Sequence, residues 1–281
     1  MKLLTFLARR FVAGETARDA VAAGKKLQAR GIKATFDLLG EDVLDREAAR
    51  RTAEASKELL RLIPSEVERN ISIKLSSMGQ EISREFCLEN ATSILEEAKR
   101  VGGFVRLDME GSRTTDSTIG LFHELRKRFD NVGIVFQAYL HRTADDVKEA
   151  VSRGDRVRLC KGAYREPASV ARQQMDDIRD SFRTCARLLL EKGNGAALAT
   201  HDESLIGDIL SFTREAKVDP SSFEFQMLYG IRPRRWDELV ALGQNMRIYV
   251  PYGTHWIPYF SRRLRERKEN VLFVLRSLLG G

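Results

Sequence analysis

Residues 156–164 read RVRLCKGAY, a short run of apolar and β-branched residues that ends in Lys161, Gly162 and Ala163. A run too short for a helix, closed by charged and small residues, is typical of a buried β-strand followed by a loop. Seven further runs of this kind recur along the chain, with longer stretches between them. The predicted strands are residues 34–38, 71–75, 104–108, 132–138, 156–160, 196–200, 223–227 and 247–250.

The segments between these strands carry apolar residues at helical spacing. Helices are predicted over residues 43–62, 87–100, 117–129, 143–153, 168–192, 204–216 and 233–242. In the first of them, Ala48, Ala55, Leu59 and Leu62 form the predicted buried face. Thr143 precedes two aspartates, which predicts that it is the N-cap of the fourth helix.

Alternation of short strands and helices predicts an α/β fold with a parallel sheet and crossover helices. Eight strands favour closure into a (β/α)₈ barrel of the TIM type, with the last helix over the barrel mouth. An open doubly wound sheet is the alternative, but residues 38–43, LLGEDV, lack the glycine fingerprint of that fold. No linker composition interrupts the chain, so residues 1–281 are predicted to form one domain, with residues 1–30 as an N-terminal helical extension.

The overall composition is typical of a soluble globular protein. The 281 residues are 43% hydrophobic and 31% charged, with a formal net charge of +7. Lys and Arg are interleaved with Asp and Glu, which favours a mildly basic surface over a nucleic-acid-binding stripe. Three cysteines without a CxxC pair favour a reducing compartment. No apolar stretch approaches the roughly 20 residues of a membrane-spanning helix, so a cytoplasmic location is expected.

Five polar side chains interrupt the apolar strands at the same end. In a barrel of this type, function lies at the C-terminal ends of the strands. Strand alternation points these five side chains inward. They are Lys74, Asp108, Gln137, Arg158 and Gln226. One buried charge could belong to a core ion pair, but five such residues predict a polar site.

The chemistry that these residues permit is narrower. The histidines stand apart at positions 123, 141, 201 and 255, so no metal site is expected. A Schiff-base lyase that uses Lys74 or Lys161 remains an alternative. Gly162 and Ala163 favour a different interpretation, because small residues let the backbone approach a flat or phosphorylated ligand closely.

The C-terminal region carries a second concentration of charge. Pro258 fits the first turn of a helix, in which Tyr259, Arg262, Arg263 and Glu266 share one face. Two adjacent guanidiniums can bind a carboxylate through charge-assisted hydrogen bonds. A solvated basic stripe is the alternative. Because this helix follows the eighth strand directly, its first turn is expected to overhang the barrel mouth.

Several of these segments together resemble the proline dehydrogenase family. The matching stretches occur in family order from residue 73 to residue 267: IKLSS, LDME, FQAYLHRT, VRLCKGAY, ATHD, FEFQMLYGI and YVPYGTHWIPYFSRRLRER. The Arg-Leu-x-Lys-Gly-Ala-Tyr block and the Tyr-x-x-Arg-Arg-Leu-x-Glu helix are specific. LDME alone would mean little.

The resemblance implies that the (β/α)₈ barrel of the TIM type is distorted, that it binds a non-covalent FAD, and that a set of site residues lines it. Asp108 and Arg158 would be the catalytic pair, with Arg158 near flavin N5 and Asp108 orienting Lys74 or the substrate amine. Lys74, Arg262 and Arg263 would bind the substrate carboxylate. The remaining substrate-site residues would be Tyr164, Leu228, Tyr249, Tyr259 and Glu266. The FAD would be lined by Met109, Gln137, Arg158, Lys161, Gly162, Ala163, Thr200, His201 and Gln226.

The resemblance also implies the reaction and its partners. L-Proline would lose a hydride from C5 to flavin N5, giving Δ1-pyrroline-5-carboxylate in the first step of proline catabolism to glutamate. Electrons would pass to a membrane quinone, with the protein peripheral at the inner face of the membrane. A separate pyrroline-5-carboxylate dehydrogenase would take the product, and no nucleic acid is expected. Tyr249 implies a preference for proline over hydroxyproline, and Glu41 or Asp42 is a candidate lid residue.

Overall fold

The computed structural model describes residues 10–256 of the chain. Eight parallel strands form a closed barrel in sequence order, and β8 pairs with β1 along six residue pairs from Lys33–Arg247 to Leu38–Tyr252. The predicted parallel barrel is therefore confirmed. The predicted helix that begins at Pro258 lies outside the described residues.

The bounds of the elements are close to those predicted. The strands are β1 Lys33–Leu38, β2 Asn70–Lys74, β3 Phe104–Asp108, β4 Val132–Gln137, β5 Arg156–Cys160, β6 Ala196–Ala199, β7 Phe223–Leu228 and β8 Met246–Tyr252. The α-helices are α1 Ala17–Gln28, α2 Arg46–Leu62, α3 Arg84–Arg100, α4 Thr115–Arg126, α5 Thr143–Ser152, α6 Met175–Lys192, α7 Glu203–Glu215 and α8 Pro233–Ala241.

The large apolar core lies between the strands and the surrounding helices. Phe36, Phe122, Phe182 and Phe225 are among its fully buried side chains. Helix α1 packs against β1 and β8, where its Gly24 faces the ring of Phe36. The inside of the barrel, by contrast, carries most of the buried charges described below.

The buried face of α2 differs from the predicted one. Asp45 caps the helix, and Ala49, Ala53 and Leu59 are buried, whereas Leu62 is 37% exposed. Ala48 and Ala55 are only half-buried. The alanines of this helix occur on two neighbouring faces, so the apolar pattern alone did not determine which face meets the barrel.

The N-cap of one helix and the start of another were also predicted wrongly. Thr143 is the first residue of α5 rather than its N-cap, and its hydroxyl donates to the Gln137 carbonyl oxygen at 2.5 Å. Helix α6 begins at Met175, not at residue 168. The segment before it is held against the loop after β4, because His141 N donates to Val170 O and Arg172 N donates to Tyr139 O. Residues 168–170 form a turn, and these contacts hold the segment against that loop instead of in a helix.

Candidate active site

A cavity of about 300 Å³ opens at the C-terminal ends of the strands. Its wall includes every predicted site residue that the structure describes: Lys74, Asp108, Met109, Gln137, Arg158, Lys161, Gly162, Ala163, Tyr164, Thr200, His201, Gln226, Leu228 and Tyr249. The remaining predicted residues, Tyr259, Arg262, Arg263 and Glu266, lie outside the described part. Met175 and Ile178 of α6 also line the cavity and were not predicted.

Lys74 forms a buried ion pair with a residue that the sequence analysis missed. Its Nζ lies 2.7 Å from Asp37 Oδ1, and the two side chains are 10% and 1% exposed. Burial alone would lower the pKa of Lys74, but the carboxylates of Asp37 and Asp108 outweigh it and raise that pKa. Lys74 is therefore a fixed cation at the cavity wall.

The pairing of Lys74 removes one of the two predicted partners of Asp108, which were Lys74 and the substrate amine. Asp108 does not hydrogen-bond Lys74 in the structure, because Asp37 takes that place on the neighbouring strand. The signal for Asp37 was present in the sequence, since Thr35 and Asp37 alternate with apolar residues in β1. The sequence analysis named five inward polar residues on later strands and did not consider the inward polar residues of β1.

Asp108 instead connects Arg158 and Tyr249. Arg158 Nη1 donates to Asp108 Oδ1 at 2.8 Å, and the Tyr249 hydroxyl donates to Asp108 Oδ2 at 2.7 Å. Arg158 Nη2 donates to Ser72 Oγ at 3.1 Å, and the Arg158 guanidinium lies 5.3 Å from the centre of the Tyr249 ring. Burial, with the adjacent Asp108 charge, raises the pKa of Tyr249 well above its usual value, so the hydroxyl remains a donor.

Three buried polar atoms at the cavity wall have no hydrogen-bond partner among the described residues. They are Gln137 Oε1, Gln226 Oε1 and Arg158 Nε. Gln137 Nε2 donates to the carbonyl oxygens of Met109 and Glu110, which fixes its Oε1 as the free end. Two unmet acceptors and one unmet cationic donor suit a ligand that carries both N–H donors and ring-nitrogen or carbonyl acceptors. An isoalloxazine ring has this chemistry.

The loops after β5 and β6 are tied together by charge. Asp202 Oδ2 accepts from Lys161 Nζ and from Arg179 Nε, both at 2.9 Å. Burial would raise the pKa of Asp202, but these two cations hold it at about 2. His201 Nε2 accepts the backbone N–H of Leu228 at 2.9 Å, so the proton of a neutral His201 ring is on Nδ1.

Gly162 has a structural reason to be glycine. Its φ is +117°, and an added Cβ would overlap the ring of Tyr139. The positive φ and the packed ring both exclude a side chain. The sequence analysis suggested that Gly162 lets a ligand approach the backbone closely. The Tyr139 contact explains the glycine without a ligand, so the close approach stays a prediction.

The loop after β1 is anchored beside the cavity mouth. Asp42, with φ 55°, donates its backbone N–H to Ser76 Oγ at 3.0 Å. Ser76 donates in turn to the buried Glu110 carboxylate through its N–H at 3.1 Å and its Oγ at 2.6 Å. This chain holds the segment that carries Glu41 and Asp42.

The structure weakens the lyase alternative. Schiff-base formation needs an unprotonated amine, and such lysines usually have a depressed pKa. The pKa of Lys74 is raised, and Lys161 is held against Asp202.

Among residues 10–256, no group of three His, Cys, Asp or Glu side chains is arranged to hold a metal ion. None of the described helices is both long enough and apolar enough to span a bilayer.

Comparison with known proteins supports a single family. A family model described as proline dehydrogenase matches residues 20–276. Proline dehydrogenase 1 of Bacillus subtilis (strain 168) is 40% identical over 273 residues, which cover 97% of this chain and 90% of the relative. Proline dehydrogenase of Deinococcus radiodurans is 38% identical over 284 residues, 98% of this chain and 91% of that protein.

A solved structure agrees with the fold. Proline utilization A from Bdellovibrio bacteriovorus, inactivated by N-propargylglycine, superposes with a TM-score of 0.84 at 25% identity. The match covers 92% of this chain and 32% of that larger one.

Proposed function

The chain belongs to the proline dehydrogenase family, and we propose that it oxidises L-proline to Δ1-pyrroline-5-carboxylate with a non-covalent FAD. The observation that carries this proposal is the pair of buried ion pairs, Lys74–Asp37 and Arg158–Asp108, at the wall of the cavity. Buried charges of this kind are costly and mark functional sites. They give the cavity fixed cations for an anionic substrate and for a cofactor that becomes anionic when it is reduced.

In the proposed substrate site, cationic side chains bind the carboxylate of proline and apolar side chains surround its ring. The Lys74 cation binds the proline carboxylate, together with Arg262 and Arg263, which are assigned from the sequence pattern alone. Leu228 and Tyr249 form a wall that excludes water from the pyrrolidine ring. Tyr164, Tyr259 and Glu266 complete the proposed substrate site.

The cofactor would be held by the residues at the ends of β3 to β7. They are Met109, Gln137, Arg158, Lys161, Gly162, Ala163, Thr200, His201 and Gln226. When bound, the flavin accepts the two electrons that leave proline as a hydride from C5. The unpartnered Gln137 Oε1 and Arg158 Nε support this assignment, because the ring would satisfy both.

The catalytic pair acts through charge and position. Asp108 holds Arg158 by an ion pair and Tyr249 by a hydrogen bond, so a single carboxylate fixes both groups. The Arg158 cation stabilises negative charge that develops beside it during oxidation. The ring nitrogen must give up a proton to solvent before the C5 hydride leaves, because a pyrrolidinium would otherwise become a dication. Tyr249 stays protonated and is not the base for that step.

The electron acceptor and the cellular location are proposed from membership of the family. We place the protein in the cytoplasm and peripherally at the inner face of the membrane, where a quinone accepts the electrons. A separate pyrroline-5-carboxylate dehydrogenase would consume the product. No role in nucleic-acid binding is proposed.

An absorption spectrum of the purified protein tests the proposal. Flavin bands near about 450 nm that bleach on anaerobic addition of L-proline are the expected result. A colourless protein that borohydride traps covalently with a carbonyl substrate would support the lyase instead. A coloured protein that proline does not bleach would retain the cofactor assignment and exclude the substrate.

A further inference from the structure

Below the cavity, a chain of ion pairs runs through the barrel. Arg247 Nη2 lies 2.9 Å from Glu68 Oε1, and Arg247 Nε donates to Glu224 Oε1 at 2.7 Å. Arg247 Nη1 donates to the Ala34 carbonyl oxygen at 2.8 Å. The Glu68 side chain is 42% exposed, whereas those of Arg247 and Glu224 are 5% and 14% exposed. The Glu68–Arg247–Glu224 chain thus runs from the protein surface into the barrel.

The inner end of this chain contacts a cavity residue. Gln226 Nε2 donates to Glu224 Oε1 at 2.6 Å, and the Gln226 side chain is only 2% exposed. Burial would raise the pKa of Glu224, but Arg247 outweighs it and holds that pKa at about 2. The carboxylate is therefore ionised and can only accept hydrogen bonds. A rotated amide would place two oxygens against each other, so the charge of Glu224 sets the orientation of Gln226.

This orientation leaves one end of the amide unused. Gln226 Oε1 is buried and has no partner among the described residues, and Gln226 lines the cavity. A buried acceptor without a donor is unfavourable until a ligand supplies one. We propose that Glu224 is a positioning residue that turns Gln226 Oε1 toward the cofactor, where it accepts an N–H or O–H group of the flavin. The proposal rests on the proposed function for the identity of that ligand.

The two carboxylates of the Glu68–Arg247–Glu224 chain allow a matched pair of variants. Glu224→Gln and Glu68→Gln each remove one carboxylate from the same Arg247 guanidinium, but only Glu224→Gln frees the Gln226 amide. Flavin-free protein is titrated with FAD, and quenching of flavin fluorescence gives the dissociation constant. We expect about 10-fold weaker binding and an altered flavin absorption band for Glu224→Gln, against less than about 2-fold weaker binding for Glu68→Gln. Equal weakening in the two variants would overturn the proposal.

A third variant keeps the ion-pair chain intact. Gln226→Met removes the acceptor without disturbing Glu224, so it remains informative if Glu224→Gln folds poorly. Its loss of FAD affinity should match that of Glu224→Gln, and the double variant should lose no more than either alone. Additive losses would show that Glu224 acts other than through Gln226.

A readout without flavin separates this inference from the proposed function. In protein with ¹⁵N-labelled glutamine, the side-chain signal that Gln226→Met removes should exchange slowly in wild type and rapidly in Glu224→Gln. A wild type that binds no FAD overturns the proposed function and the ligand named here. Fast exchange in the wild type overturns the positioning role itself.

Discussion

Asp37 and Lys74 show how strongly a single residue can determine the site. Asp37 is the only hydrogen-bond partner of the Lys74 ammonium group among the described residues, and both side chains are almost wholly buried. Asp37→Asn keeps the shape but removes the charge, which leaves the buried Lys74 cation without its hydrogen-bonded counter-ion. We expect the free energy of unfolding in urea to fall by about 3 kcal/mol. We expect kcat/KM for proline to fall about 10-fold, because the binding cation loses its fixed position.

The control for this prediction is an exposed ion pair. Lys25 and Glu66 lie 3.3 Å apart with side chains 53% and 58% exposed. Glu66→Gln should leave the stability almost unchanged, because an exposed ion pair contributes little. An equal loss in both variants would mean that burial of the Asp37 pair has no energetic consequence.

Tyr249 carries two separable roles, a ring and a hydroxyl. Its hydroxyl donates to Asp108, while its ring packs beside Arg158 at the cavity wall. Wild type should prefer proline to trans-4-hydroxyproline in kcat/KM. Tyr249→Ser should narrow that ratio by making room for the extra hydroxyl, whereas Tyr249→Phe should keep it and lower both rates. Steady-state kinetics with the two substrates measures the ratio, and an unchanged ratio in Tyr249→Ser would exclude Tyr249 as the selective residue.

At this scale the sequence was informative where a polar residue interrupts the apolar end of one of the later strands. Lys74, Asp108, Gln137, Arg158 and Gln226 were predicted because each interrupts an apolar strand, and all five line the cavity. Their partners could not be predicted in the same way. A sequence does not specify which inward carboxylate on a neighbouring strand a lysine reaches.

At the scale of elements, the same substitution should have opposite effects in different helices. Gly120 in α4 and Gly207 in α7 have nothing within 4 Å of an added Cβ, whereas at Gly24 in α1 that atom would lie 2.5 Å from Phe36 Cζ. Gly120→Ala and Gly207→Ala should each stabilise the protein by about 0.5–1 kcal/mol, because alanine is the better helix former. Gly24→Ala should destabilise it by about 1–3 kcal/mol through overpacking. Urea denaturation of the three variants tests this, and stabilisation by Gly24→Ala would contradict the packing of α1 on β1.

Element existence was more predictable than element orientation. All eight strands were predicted because short apolar runs ended at polar or small residues. The face of α2 that packs against the barrel was not predicted correctly, because the alanines of this helix make two neighbouring faces similarly apolar. The late start of α6 depends on two backbone hydrogen bonds, from Arg172 N to Tyr139 O and from His141 N to Val170 O. These partners are far apart in sequence, so no local pattern indicates the contact.

At the scale of the whole molecule, stability and function occupy different layers. Barrel interiors are usually filled by branched apolar residues. Here the fully buried aromatic and aliphatic residues lie on the outer faces of the strands and on the helices that cover them, and the barrel encloses ion pairs. Arg106 is a further buried cation; its Nη1 donates to the Arg156 carbonyl oxygen at 2.8 Å, and its guanidinium carbon lies 5.0 Å from the centre of the Phe104 ring. The outer layer holds the fold together, while the inner one fixes the charges.

This layering predicts a specific acid sensitivity. The pKa of Glu224 is held at about 2 in the folded protein, below its ordinary 4.5. A carboxyl group with a lowered pKa stabilises the fold fully above pH 4.5, and that contribution is lost as the pH falls from 4.5 toward 2. At 1.36 kcal/mol per pKa unit, the loss is about 3 kcal/mol for this group. Glu224→Gln should be less stable than wild type near neutral pH, because Arg247 loses a partner, but its stability should fall less steeply over this window. Urea denaturation at a series of pH values gives both slopes. Parallel slopes would show that the Glu224 carboxylate is not what makes the barrel sensitive to acid.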